Sequence, residues 1–200
     1  MSAWNPCAEI VAANRLARWE RTCPPLYRET DPARLPADKL AEVLAWSYGP
    51  MGLILSGPTR SGKTRCAWEL IHRLIVDDGL SVKAFDGIGW GASVSAAYGD
   101  PSRTEWWLDE VCTVPVLFLD DLFKAKITEA QELAVYGVFE RRCANLLPVI
   151  CTTNTTSQLL GDRMTEAGRA DRLDPLLGRM REFCTPIRFS AKYQENNRAK

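Results

Sequence analysis

The segment from Gly52 to Thr64, GLILSGPTRSGKT, constrains this chain more than any other stretch. Gly52 to Ser56 is short and apolar and reads as a buried strand. It runs directly into Gly57-Pro58-Thr59-Arg60-Ser61-Gly62-Lys63-Thr64, a complete G-x-x-x-x-G-K-[ST] pattern. Apolar residues at helical spacing then continue from Lys63 to Val76. A strand, a glycine-bounded loop and a helix in that order build an anion cradle. The glycines let backbone N–H groups wrap a phosphate, and the helix N-terminus adds a positive end. Lys63 is the residue expected to reach the β- and γ-phosphates of a nucleotide, and the Thr64 hydroxyl is expected to bind Mg2+.

The chain around this unit alternates in the same way. Helices are expected at Pro6 to Arg21 and Ala37 to Tyr48, joined by a Pro-rich linker that begins at Cys23-Pro24-Pro25. Short apolar strands are expected at Ser81 to Phe85, Pro115 to Leu119, Pro148 to Thr152 and Thr185 to Phe189. Between them lie two helical pieces within residues 92–112, a long helix from Thr128 to Asn145 and a helix from Asp174 to Arg181. Buried strands separated by helices imply a parallel central sheet covered on both faces, an α/β (αβα) sandwich. Residues 1–48 read as a helical extension with its linker, 49–190 as the sandwich, and 191–200 as a polar tail.

Composition narrows the function classes. Lys+Arg and Asp+Glu tie at 25 each, so net charge provides no general attraction to nucleic acid or to a membrane surface. No apolar run approaches the roughly 20 residues a spanning helix needs, and the first ten residues lack a secretory pattern. A cytoplasmic location without membrane partners is therefore expected. The seven cysteines are odd in number with no C-x-x-C pair, and His72 is the single histidine. Zinc knuckles and a disulfide scaffold do not fit that inventory, and His72 reads as structural.

Two further strand ends carry chemistry. Val116-Leu117-Phe118-Leu119 leads into Asp120-Asp121-Leu122, placing two acids at the carboxyl end of a buried strand, where ligands bind in open α/β sheets. Asp120 is placed to hold Mg2+ through water, and Asp121 to orient or deprotonate an attacking water. Val149-Ile150-Cys151 likewise leads into Thr152-Thr153-Asn154. If this strand lies between the other two, Asn154 can point at the γ-phosphate and the lytic water.

The three stations, in this order, resemble the AAA+ ATPases, and more closely the bacterial DnaC/DnaI helicase loaders and the related IstB transposition ATPases. The similarity runs from about Arg21 to Phe189 and includes the Cys-Pro-Pro-Leu-Tyr linker, Asp-Asp-Leu, Thr-Asn and Leu177-Gly178-Arg179-Met180-Arg181. This last segment is similar to the loaders' [DE]-R-[ILM]-R motif, whose first arginine reaches the nucleotide of a neighbouring subunit. The resemblance therefore implies an arginine finger at Arg179, with Arg169, Arg172 and Arg181 as alternatives. A fixed guanidinium there would neutralise charge developing on the transferred phosphoryl group. It further implies ATP hydrolysis by an oligomer, an open ring or spiral. The implied partners are a replicative helicase and, in the working assembly, single-stranded DNA.

The sequence departs from the resemblance in three places. Asp121 stands where many AAA+ proteins carry the longer Glu, which implies slower turnover. The helical lid is expected to be absent beyond Phe189, and residues 1–21 are short beside the loaders' docking domain. Two other readings remain: an IstB-like switch that uses ATP to order an assembly on DNA, and a small-molecule P-loop kinase. Among the aromatics, Tyr27 resembles the residue flanking the adenine, with ordinary linker packing as the competing reading. Trp106 and Trp107 are adjacent on a helix and cannot face one way, so at least one belongs to the core, while Trp90 is weighed between core and a base-stacking surface.

Overall fold

The computed structural model describes residues 6–123, 128–154 and 170–190. Five strands, β1 (Gly52–Ser56), β2 (Val82–Asp86), β3 (Val116–Asp120), β4 (Val149–Thr153) and β5 (Cys184–Arg188), form one sheet in the order β2-β3-β4-β1-β5. Every neighbouring pair is parallel. The expected parallel α/β sandwich is the fold found. The central strands β3 and β4 are buried along all five residues, which is why they read as unbroken apolar runs.

Strand side chains alternate between two cores. Leu53, Leu55, Val116, Phe118 and Ile150 face α4 (Lys63–Val76), whose Leu70, Ile71, Leu74 and Ile75 are fully buried. Helices α1 (Pro6–Thr22) and α3 (Ala37–Leu44) pack over α4 on that side, with the short α2 (Pro25–Arg28) between them in the chain. Leu117, Leu119, Val149 and Cys151 face the second core. It is closed by α5 (Gly87–Tyr98), α6 (Pro101–Thr113), α7 (Glu129–Ala144) and α8 (Ala170–Phe183).

Helix α1 is tied to the middle and the C-terminal end of α4. Arg15 donates to the Val76 and Asp77 carbonyls at 3.1 and 2.8 Å, where the last carbonyls of α4 need donors. Trp19 meets Trp68 edge-on at 5.9 Å and His72 at 5.0 Å, so the half-buried His72 ring is packed against the α1–α4 contact.

The element boundaries depart most from the expectations in three places. Helix α5 begins at Gly87, ahead of the expected 92, because the Asp86 carboxylate accepts from Gly89 N at 2.6 Å and caps a glycine-rich first turn. Helix α3 ends at Leu44, and the chain beyond it is pinned by Trp46, whose Nε1–H donates to Met51 O. Helix α8 begins at Ala170 and carries Pro175 inside it. Trp90 and Trp107 are buried in the second core and Trp106 is 67% exposed, which separates the adjacent pair. Among the described residues no helix is long and apolar enough to cross a membrane. Arg169 and the tail 191–200 lie outside the described residues, as does the Arg172 side chain.

Candidate nucleotide site

Three adjacent parallel strands deliver the site. β4 lies between β3 and β1, so their carboxyl ends present the acid pair, Asn154 and the glycine loop side by side. The loop owes its shape to its first glycine. Gly57 has φ +146°, and a Cβ there would sit 2.4 Å from Phe189 O, so the close approach to the end of β5 admits no side chain. Gly62 takes φ +96° at the N-cap of α4, leaving Lys63 as the first helical residue.

Lys63 is 5% exposed. Its Nζ donates to Gly57 O at 2.9 Å, Pro58 O at 2.7 Å and Asn154 Oδ1 at 2.7 Å. The Asn154 amide donates onward to Asp121 Oδ1 at 3.2 Å. One side chain thus links the loop cation to the second acid. The Thr64 hydroxyl donates to Asp120 Oδ1 at 2.8 Å, and the Thr152 hydroxyl donates to the same oxygen at 2.5 Å. Asp120 is buried, and desolvation raises its carboxyl above the usual range; the hydrogen bonds from Thr152 and Thr64 oppose that shift.

The end of β4 holds the flanking backbones in place. Asp121 N donates to Thr152 Oγ1 at 2.8 Å, Leu122 N to Thr152 O at 2.8 Å, and Gly57 N to Thr153 O at 3.3 Å. Asp121 turns sharply, with φ +54°. Sequence reasoning singled out Asn154 but neither Thr152 nor Thr153. Their roles arise from the alignment of β3 with β4, in which Leu119 pairs with Cys151, and no local pattern reports that.

A cavity of about 610 Å3 opens beside these groups, and its lining includes Tyr27, Arg60, Lys63, Thr64, Asp121 and Asn154. That volume lies in the ordinary range for a small-molecule site. Thr59, Ser61 and Gly62 line it as well, so the loop forms one wall. The opposite wall comes from the linker. Tyr27 lies nearly parallel to Trp68 at 6.0 Å, and the Arg65 guanidinium sits 5.7 Å from the Tyr27 ring. Arg65 also donates to Leu26 O and Thr30 Oγ1, fixing the linker over the cavity.

The donor set suits Mg2+. Thr64 and Asp120 supply hard oxygen atoms, and this ion keeps few protein ligands beside water and phosphate oxygens. Among the described residues, no cluster of three or more His, Cys, Asp or Glu side chains able to hold a metal is found. Arg179 stands apart from the cavity lining. On α8 its Nε and a terminal nitrogen donate to the two Glu140 oxygens at 2.5 and 3.2 Å, with Glu182 at 3.3 Å. Arg181 is exposed on the same helix.

No protein-family model matches the chain. It is 25% identical over 179 residues to the uncharacterized protein YdaV of Escherichia coli (strain K12), covering 80% of this chain and 72% of that protein. Among solved structures, the DnaC helicase loader superposes with a TM-score of 0.61 at 19% identity, covering 76% of this chain and 86% of that one. DnaI superposes with a TM-score of 0.58 at 20% identity, covering 94% and 88%. DnaA from Aquifex aeolicus, bound to AMPPCP, gives 0.58 at 15% identity, covering 80% of this chain and 47% of DnaA. The parallel sheet order, the glycine loop opening α4 and these superpositions together establish that the chain has the DnaC-like AAA+ fold.

Proposed function

We propose that this chain binds Mg2+-ATP in the cavity beside Lys63 and hydrolyses it, and that it works as an oligomer in DNA replication, in the manner of a helicase loader. The observation that carries the reading is the Lys63–Asn154–Asp121 bridge, which joins a cation, an amide and a carboxylate in one hydrogen-bonded chain along the cavity beside the glycine loop. The AMPPCP held by the similar DnaA fold supports a nucleotide as the ligand.

Each residue has a defined task. Backbone N–H groups from Thr59 to Thr64 would wrap the β-phosphate, and Lys63 would neutralise charge on the γ-phosphate oxygens. Asp121 would orient the attacking water and take its proton, and Asn154 would hold Asp121 and the γ-phosphate in one frame. Thr64 and Asp120 would hold Mg2+, which when bound would offset negative charge on the phosphates. Tyr27 would flank the base. The single-domain division at residues 49–190, with a helical extension before it, belongs to the same reading.

Arg179 is the arginine offered to a neighbour's γ-phosphate. Glu140 binds two of its nitrogens in a fork, a geometry that orients a guanidinium. A site completed in trans requires self-association, and a replicative helicase and single-stranded DNA are the partners that fit the role.

The test is ATP turnover per subunit against protein concentration, with and without single-stranded DNA. Specific activity should rise steeply with concentration, shift with DNA and collapse in Arg179→Ala while Arg181→Ala stays near wild type. Flat activity, indifferent to DNA and to both variants, would replace this reading with a self-contained kinase-like site. Nucleotide-dependent assembly without turnover would point to the IstB-like switch.

A further inference from the structure

The Thr152 side chain is fully buried, and its hydroxyl uses both its capacities. It donates to Asp120 Oδ1 at 2.5 Å and accepts from Asp121 N at 2.8 Å. A hydroxyl carries one donor and two acceptor positions, so a single atom can serve a carboxylate and a peptide N–H together. Few side chains of this size can. Valine has the shape without either function, and a thiol does both weakly. The same residue fixes Leu122 N through its carbonyl, so the turn leaving β3 is held at successive peptides.

The consequence is directional. Asp120 Oδ1 receives two hydroxyls, Thr64 from α4 and Thr152 from β4, so the carboxylate is clamped between the phosphate loop's helix and the central strand. Its rotation would carry the Thr64 hydroxyl with it. At Asp121 the backbone has φ +54°, a conformation that costs a non-glycine residue free energy and needs a fixed N–H partner to persist.

We propose that Thr152 is a positioning residue for the Mg2+-nucleotide complex, orienting the Asp120 carboxylate through its O–H and the Asp121 turn through its oxygen. This rests on the reading that Mg2+-nucleotide occupies the cavity. Groups that orient a metal's ligands typically contribute about 10–100-fold to metal affinity or activity. Thr152 lies behind Asp120 and does not line the cavity. Its contribution should therefore fall on the Mg2+-dependent part of binding alone.

The experiment is an equilibrium titration of a fluorescent ATP analogue into the full chain, in Mg2+ and again in EDTA. Thr152→Val should weaken binding in Mg2+ by about tenfold and leave binding in EDTA within about twofold of wild type. Thr152→Ser, which keeps the hydroxyl, should restore the Mg2+ value. Binding in EDTA shows that each variant is folded, and Thr152→Cys carries the same prediction in reduced degree if the valine variant does not fold. Equal losses in Mg2+ and EDTA, no loss in Mg2+, or a serine variant as weak as valine would each overturn the inference. A wild-type protein whose nucleotide affinity gains nothing from Mg2+ overturns the functional reading as well. A wild-type gain that Thr152→Val fully retains overturns this inference only.

Discussion

Replacing Asn154 with alanine separates positioning from binding. The substitution removes two contacts at once, the 2.7 Å acceptor for Lys63 Nζ and the 3.2 Å donor to Asp121 Oδ1. The two losses differ in consequence. Lys63 keeps the carbonyls of Gly57 and Pro58 at 2.9 and 2.7 Å, so the cation stays at the mouth of the loop. ATP affinity should therefore fall by no more than about threefold, which is roughly 0.7 kcal/mol. Asp121 loses the amide that aims its carboxylate. Removing one preorganised group of this kind costs about 100–1,000-fold in turnover. The expected result is an approximately 100-fold lower kcat, about 2.7 kcal/mol, with the Kd for ATP near wild type. Steady-state turnover at saturating ATP and a direct binding titration give the two numbers. An unchanged kcat would refute the bridge, and an affinity loss with kcat unchanged would show that Asn154 serves binding alone.

Two further outcomes follow from the geometry. Arg142 is fully buried and donates to the carbonyls of Val111, Val114, Pro115 and Pro148 between 2.8 and 3.1 Å, while burial brings its guanidinium down to about 10. Arg142→Met leaves buried carbonyls without donors and should cost about 3–5 kcal/mol in all, lowering Tm by roughly 10 °C. A loss under about 1 kcal/mol in urea unfolding would contradict that role. For Asp120→Asn, the sign comes from the raised carboxyl. A carboxyl raised by folding contributes stability below its unfolded pKa and loses it as pH rises through the folded value. The asparagine variant should match wild type near pH 3 and become the more stable of the two towards neutrality, without added nucleotide. Thermal unfolding across pH checks this, and a variant less stable than wild type at pH 7 would contradict it.

Much of the site was legible because its motifs are local. Strand, glycine loop and helix follow one another without a gap, and the acid pair and Asn154 each end an apolar run. What was not legible depends on which strands become neighbours. Thr152 reads as the last residue of an apolar strand until β4 is set beside β3, and then its hydroxyl meets Asp120. Arg142 stands beside Arg141 in the last turn of α7 with nothing local to mark it, and only tertiary packing folds it onto four carbonyls. The start of α5 was obscured by its glycines, whose low helix propensity is offset by the Asp86 cap. Tyr27 sits in a Pro-rich stretch whose composition says nothing of the cavity it overhangs; its placement comes from Trp68 and Arg65 on the loop's own helix.

The central claim is that a nucleotide's phosphates rest on the glycine loop against Lys63. Isothermal titration of ATP into wild type and Lys63→Ala in Mg2+ tests it most directly. Saturable one-to-one binding that weakens at least about tenfold in the variant is the predicted result, matching the loss of a buried charge partner for phosphate. Equal affinity in the two proteins, or no binding to wild type, would contradict it.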